Sequence, residues 1–517
     1  MKTRLSTILS SGLLFLISSC SVPQLPFITT LQAASPSPGA PSSGAMVTIQ
    51  PTITASLTPV GTGLPLPASP QGTAPAAASQ GVIPKYVIDA KMDYDAHSLE
   101  VQQVIEYPNT SGVEIQDVLL AVQPNMIPGV FSLRDLRVDD VQVGNFDLSG
   151  QRLYWKLDSP LMPGKNISIR IEYQLVLPEV VQGDANVIRP QIFGVTARQV
   201  NLTDWYPMIV PFEPGIGWRL ADAWFYGEHL VYPLANFDVT LKFSDPANAP
   251  VVAASAEAEP VENGNHYVLE GARDFVLAMG RQFLVYTTLS DDVTVASYYY
   301  PGSESAGQAV LDASVNALKT YSGLFGPYRH KSLAAVQGDF NDGMEFDGLY
   351  YLSNSFYNLY DGSSNNYLVM VAAHETSHQW WFGQVASDQA NQPWMDESLA
   401  TYCEELFYEK NYPDSVNWWW SYRIDFYQPE GKIDGNVPSY GGFTPYTNAT
   451  YRLGARFLDE LRQATGDKVF FEFLKDYATR MAGKIAKPQD FFHILGEHTS
   501  ADLGVLYAKY FANPLQK

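Results

Sequence analysis

From Ile167 to Leu177 every second residue is apolar: Ile167, Ile169, Ile171, Tyr173, Leu175 and Leu177, with Ser168, Arg170, Glu172 and Gln174 between them. A period of two is that of a β-strand with one face in a core. Phe237, Val239, Leu241 and Phe243 repeat it. Runs of this kind, separated by Pro, Gly, Asn and Asp turns, predict a β-rich, sandwich-like domain over residues 85–287. After Pro301-Gly302 the period lengthens to that of helices, predicted over 309–321 and 367–382 with an extended piece at 333–336 between them. A further helix starts near Trp394 and must stop before Pro413. Amphipathic stretches follow at 457–461, 468–477, 491–495 and 503–511. The pattern therefore predicts an α+β multidomain protein, a β-sandwich-like domain followed by an α-rich domain over 288–517.

No such period precedes Lys85. Lys2 and Arg4 open a short basic region, and the apolar stretch 5–17 is too short for a stable membrane anchor, so it reads as an export signal. It ends in Ile17-Ser18-Ser19-Cys20, which resembles the bacterial lipoprotein processing site, cut before a cysteine whose thiol is acylated. From Leu5 to Pro84 there is no acidic or basic residue, and Pro, Ser, Thr, Ala and Gly dominate from Ser21 onward. Such a segment cannot bury enough apolar surface to fold. Residues 1–20 are thus expected to be a lipoprotein-type signal peptide and 21–84 a disordered linker able to span on the order of 200 Å. The chain is expected to be exported and lipid-anchored through Cys20 on the extracytoplasmic face of a bacterial membrane.

Composition narrows the partners. Acidic residues outnumber basic ones by 54 to 32, and a net charge of −22 argues against nucleic acid. With 46% hydrophobic and 17% charged residues among 517, there is material for more than one large core. The two cysteines, Cys20 and Cys403, exclude a disulfide framework, and Cys403, within a helical pattern, reads as a small apolar core residue.

The chemistry is concentrated in His374-Glu375-Thr376-Ser377-His378 and in Glu397 of Trp394-Met395-Asp396-Glu397-Ser398, with eighteen residues between His378 and Glu397. Histidines four apart on a helix share a face and can reach one metal ion, with Glu375 beside them as a base. Two histidines and a carboxylate leave a fourth position of a zinc ion for water, which is a hydrolytic arrangement. The clan with a third histidine six residues on is excluded, because Gln384 stands there and Trp381 stands where its glycine would be. One zinc per chain is expected, on His374, His378 and Glu397. Glu375 would take a proton from water at the metal and deliver it to the leaving amine.

Three segments, Gly343-Met344-Glu345, His374 to Glu397, and Tyr451-Arg452-Leu453-Gly454-Ala455, together resemble the aminopeptidase N family of gluzincins. The likeness in layout covers residues 85–517 and implies a thermolysin-like catalytic domain, in a short form without the helical C-terminal domain of longer members. It implies that Tyr451 stabilises the oxyanion, with Tyr446 as a rival, and that Glu345 binds the substrate's free α-ammonium, with Gly343 and Met344 beside it. Glu404, two turns beyond Glu397, would orient a zinc-ligating histidine, with Glu405 as a competitor. Two departures stand out: Phe346 replaces the family's Asn, and Asp342 its first Gly. Gln199-Val200-Asn201 aligns loosely with a second amine-binding position. The expected activity is removal of N-terminal residues from peptides. An endopeptidase of the same fold and a non-catalytic surface peptide-binding protein are the alternatives.

Overall fold

The computed structural model describes residues 82–180, 192–341 and 343–513, all within one compact unit. The signal peptide, Cys20, residues 21–81 of the linker and Asp342 lie outside the described residues. No helix among the described residues is long and apolar enough to cross a membrane.

The predicted alternation is that of the central strands of an eight-stranded sheet. Asn166–Val176 pairs antiparallel with Ser98–Pro108, setting Ile169 opposite Ile105 and Tyr173 opposite Val101. Ala235–Phe243 runs parallel to the first strand, Lys85–Asp93, and sets Phe237 opposite Tyr86. Their apolar faces share one core with a four-stranded sheet that contributes Val118, Leu120, Leu153 and Trp155. A third sheet, of four short strands, includes Val200–Leu202, Val251–Ala254 and Leu277–Gly280.

Leu284–Ser290 crosses the expected 287/288 junction and pairs with Val293–Tyr299, so it opens the second layer. That layer is a five-stranded sheet whose edge strand, Gly343–Phe346, runs antiparallel to Leu349–Ser353. Three helices build the rest of its centre: Glu304–Phe325, Tyr367–Ser377 and Trp394–Asn411. The Tyr321 hydroxyl lies 3.1 Å from the Ala373 carbonyl and 2.9 Å from the Cys403 carbonyl, and so ties the first helix to the other two. Cys403 is buried and its sulfur accepts the Trp381 indole N–H.

One predicted helix is shorter than its pattern. The stretch 367–382 is α-helical only to Ser377, after which Gln379–Gln384 forms a wide turn, with the Gly383 N–H on the His378 carbonyl. The cause is tertiary. The Gly383 carbonyl is turned toward two guanidinium groups, Arg273 at 2.9 Å and Arg329 at 2.8 Å.

Arg273 comes from the β domain and is buried. Its guanidinium also reaches the carbonyls of Tyr232, Gln384 and Lys484. The fully buried Asp347, two residues beyond Glu345, accepts from the Arg273 backbone N–H, Arg329 and His330. Burial alone would raise the Asp347 carboxyl; His330 and Arg329 outweigh it and hold the group below the usual range. Asp347 thus stabilises the fold above its unfolded pKa of about 4, and that contribution is lost as pH falls through the depressed folded value. Asp347→Asn should cost about 3 kcal/mol by chemical denaturation at neutral pH, because it leaves buried cations uncompensated. Its stability should also fall less steeply than that of the natural protein when the pH is lowered below about 4.

Candidate metal centre and active site

Local sequence delivers the donors. The Asn366 side chain caps the helix Tyr367–Ser377 by accepting the Leu368 N–H, and His374 lies in its last turn with His378 just past its end. Glu397 sits in the first turn of the helix Trp394–Asn411. His374 Nε2 and His378 Nε2 are 3.2 Å apart, and Glu397 Oε2 lies 3.4 and 3.7 Å from them. All three side chains are buried.

The other ring nitrogens are already committed. His374 Nδ1 donates to Glu404 Oε1 at 2.8 Å, and His378 Nδ1 donates to Asp396 Oδ1 at 2.7 Å. Each Nε2 therefore turns a lone pair toward the other and toward Glu397 Oε2, a buried atom with no well-formed hydrogen bond. Lone pairs that converge in a dry site need a cation. Ligands ~2.1 Å from one zinc ion at tetrahedral angles stand ~3.4 Å apart, which fits this set. The residues present thus fit a single zinc ion held by His374, His378 and Glu397.

The surrounding charge makes the same demand. For both histidines burial opposes protonation, but neighbouring carboxylates outweigh it: Glu397 and Glu404 bring His374 up to about 9, and Glu345, Asp396 and Glu397 raise His378. Glu404 is held in turn by Arg423 and by the Trp419 indole N–H at 2.8 Å. Between the two carboxylates named as competitors, the hydrogen bond to His374 comes from Glu404, whereas Glu405 faces Arg462. From the sequence, neither Asp396 nor Arg423 carries an assigned role. Asp396 had a signal, since it precedes a ligand on a helix; Arg423 had none, because only folding brings it to Glu404.

Glu375 lies beside the ligands, 4% exposed, with Oε2 unpartnered, and burial raises its carboxyl well above the usual range. The edge strand passes so close that a Cβ on Gly343 would stand 2.1 Å from Glu375 Oε1. Only glycine fits there. Along this strand side chains alternate, so Gly343 and Glu345 face the metal ligands while Met344 and Phe346 join an apolar cluster with Val276 and Tyr351. Met344, expected at the substrate, therefore does not present its side chain to the site. Phe346, which replaces the family's Asn, is buried in that cluster and packs 6.1 Å from the Tyr351 ring. Glu345 is 4% exposed, and its Oε1 accepts from Gln389 Nε2, which also donates to Asp396. Burial, against the pull of His378, brings its carboxyl up to about 7.

Tyr451 stacks on His374, with ring centroids 5.9 Å apart, and its hydroxyl bonds to Glu397. Tyr446 lies behind it, with ring centroids 5.8 Å apart. A Cβ on Gly454 would fall 1.8 Å from Ser398 Oγ, which donates to the Thr450 carbonyl. That close approach fixes Tyr451 against the helix of Glu397. Gln199 Oε1 accepts the Asp339 backbone N–H, tying the β domain to the approach of the edge strand.

Residues 310–510 match the Peptidase family M1 domain. Aminopeptidase M1-D of Oryza sativa subsp. japonica is 25% identical over 228 residues, 40% of this chain and 26% of that protein. Endoplasmic reticulum aminopeptidase 1 of Mus musculus is 26% identical over 292 residues, 50% of this chain and 30% of that protein. Residues 310–510 thus form a Peptidase family M1 domain.

The chain spans less than a third of the length of these two curated M1 relatives. Its fold is that of the M1 zinc metallopeptidase from Deinococcus radiodurans, solved with a Tyr-Ser-Ala substrate, at a TM-score of 0.60 and 16% identity over 86% of this chain and 97% of that one. A second structure of the Deinococcus M1 enzyme gives 0.57 and 18% over 84% and 94%. The M1 domain here carries its zinc donors on two helices, with both histidines oriented by carboxylates. Glu404→Gln should weaken zinc binding about 10- to 100-fold, read by chelator competition against the natural protein.

Proposed function

We propose that the chain is a zinc aminopeptidase that removes N-terminal residues from peptides. The observation that carries this reading is the position of Glu345, a buried carboxylate beside the zinc donors with no cationic side chain bonded to it among the described residues. A carboxylate there suits the free α-ammonium of a peptide, through a charge-assisted hydrogen bond that blocked or internal residues cannot make. The relatives support the reading, since those quoted are named aminopeptidases.

Zinc, when bound, acts as a Lewis acid on the scissile carbonyl and acidifies water. The protein supplies the rest. Glu375 takes the proton from the attacking water and passes it to the leaving amine; its raised affinity for protons suits both halves of that task. Tyr451 directs its hydroxyl toward the charge that develops on the carbonyl oxygen. Glu404 and Asp396 hold His374 and His378 in the tautomer that leaves Nε2 free for the metal. Gly343 lets the edge strand, and with it the substrate's N-terminus, lie against Glu375.

We further propose that the enzyme works outside the cytoplasm, tethered through a lipid on Cys20. The reading rests on the signal-like segment, the lipoprotein-type site and the uncharged linker.

Chelation should abolish cleavage of aminoacyl reporter amides, and N-acetylated versions should resist the zinc-loaded protein. Equal turnover of blocked and free peptides would sink the aminopeptidase reading in favour of an endopeptidase; a zinc-loaded protein inert toward a broad peptide library would favour a binding protein. Glu375→Gln should lose roughly 10²- to 10⁴-fold in kcat with zinc content unchanged. Gly343→Ala, whose methyl group collides with the base, should also lose turnover while keeping its metal.

A further inference from the structure

The five-stranded sheet has two edges of opposite character. One, Gly343–Phe346, lies against Glu375. The other, Leu284–Ser290, pairs only with Val293–Tyr299 among the described residues, and none of its seven residues is charged. An edge strand invites pairing with another chain unless charge, proline or shortness blunts it. The outer edges of the eight-stranded sheet are blunted in these ways, since Ala258–Val261 contains Glu259 and Pro260, and Val141–Gln142 is two residues long. Leu284–Ser290 has no such protection, and Val285 is 44% and Leu289 70% exposed.

Its backbone is held ready for a partner. Tyr286 stacks on Tyr299 with ring centroids 4.7 Å apart, and Asp291, at φ 52°, makes the tight turn into the next strand. The Thr294 N–H bonds to the Lys331 carbonyl on the inner side, so the alternate residues Val293, Val295, Ser297 and Tyr299 bond outward to Ser290, Thr288, Tyr286 and Leu284. Val285, Thr287 and Leu289 therefore turn their N–H and C=O groups away from the sheet. Their side chains share one face. About a two-fold axis at Thr287 the strand is its own complement: Thr287 meets the partner's Thr287, Val285 meets the partner's Leu289, and Leu289 meets the partner's Val285. Each of these pairs exchanges two backbone hydrogen bonds. Charge selects the antiparallel sense. Arg281, half-exposed beside Asp95, precedes the strand and Asp291-Asp292 follows it, so antiparallel pairing sets a basic end beside an acidic turn, whereas parallel pairing would set two acidic turns together. Between copies that each carry a net charge of −22, an uncharged strand is also where approach costs least.

We infer that Leu284–Ser290 is a homodimerisation edge, at which two copies of this chain pair antiparallel about Thr287 and join their five-stranded sheets into one. The strand Gly343–Phe346 stands at the opposite end of the sheet, so pairing leaves both active sites open. One strand pair buries less than the ~1,200 Å² of a standard interface, which makes the dimer a weak one. The inference does not depend on the peptidase reading.

The test uses the full zinc-loaded chain carrying Cys20→Ser, so that neither acylation nor that thiol contributes. Sedimentation equilibrium should show monomer and dimer with a dissociation constant of about 10⁻⁵ M. Leu289→Lys, a change at an exposed position, should raise that constant about tenfold or more while keeping the unfolding temperature. Thr287→Cys should be joined into dimers by a short bismaleimide, because the paired Cα atoms would stand ~5.5 Å apart. Val285→Cys should not, since in this register the two cysteines would lie ~14 Å apart along the strands. Cys403 is buried, so the chain without an added cysteine is the blank. A chain that stays monomeric at about 10⁻⁴ M overturns the inference. A dimer indifferent to Leu289→Lys overturns it by placing the contact elsewhere, and one that cross-links through Val285→Cys as readily as through Thr287→Cys overturns it by requiring another register.

Discussion

The buried charge network around Asp347 is the constraint on which the arrangement of the site depends. Asp347 stands two residues beyond Glu345, and its partners come from both domains: the Arg273 backbone from the β domain, Arg329 and His330 from the catalytic domain. The Arg273 and Arg329 guanidiniums converge on the Gly383 carbonyl, just past the end of the histidine helix. Edge strand, zinc-binding helix and β domain are thereby located against one another by charges that cannot be left unpaired in a dry interior. Glu345 and the metal donors keep their mutual positions for this reason.

Around the metal the protein arranges negative charge in excess. Glu345, Glu375, Glu397, Asp396 and Glu404 lie close together, and Arg423 is bonded to Glu404. Such a site is unfavourable without cations and strongly attractive to them. Zinc meets part of the demand; the α-ammonium proposed to bind Glu345 would meet another. The same carboxylates fix the tautomers of His374 and His378, so one set of groups attracts the metal and orients its ligands.

Close approach is the second device. Gly343 and Gly454 stand where a Cβ would overlap Glu375 and Ser398, and each removes the atoms that would hold two segments apart. Side chains from a strand, two helices and a π-type turn, Asn448–Leu453, can then converge on one site. The alternation of the edge strand divides its residues between two tasks, Gly343 and Glu345 at the site and Met344 and Phe346 in the cluster beneath the β domain.

The sequence by itself determined the classes of element and the donor set. Alternation and helical spacing are local properties, so the strand Asn166–Val176, the helices and their order were legible before any contact was known. The same holds for His374, Glu375 and His378, whose spacing sets them within two turns of one another, and for Glu397 by its distance along the chain. Tertiary structure decided what depends on segments meeting. Folding brings Arg423 to Glu404 and Glu228 to the acidic cluster, and it ends the histidine helix at Ser377 by the pull of two arginines on Gly383. Met344 was carried to the site by its place in a family motif, and the strand turned it away, because neighbours along a strand face opposite sides. A sequence records which groups a site can use; only packing records which of them face it.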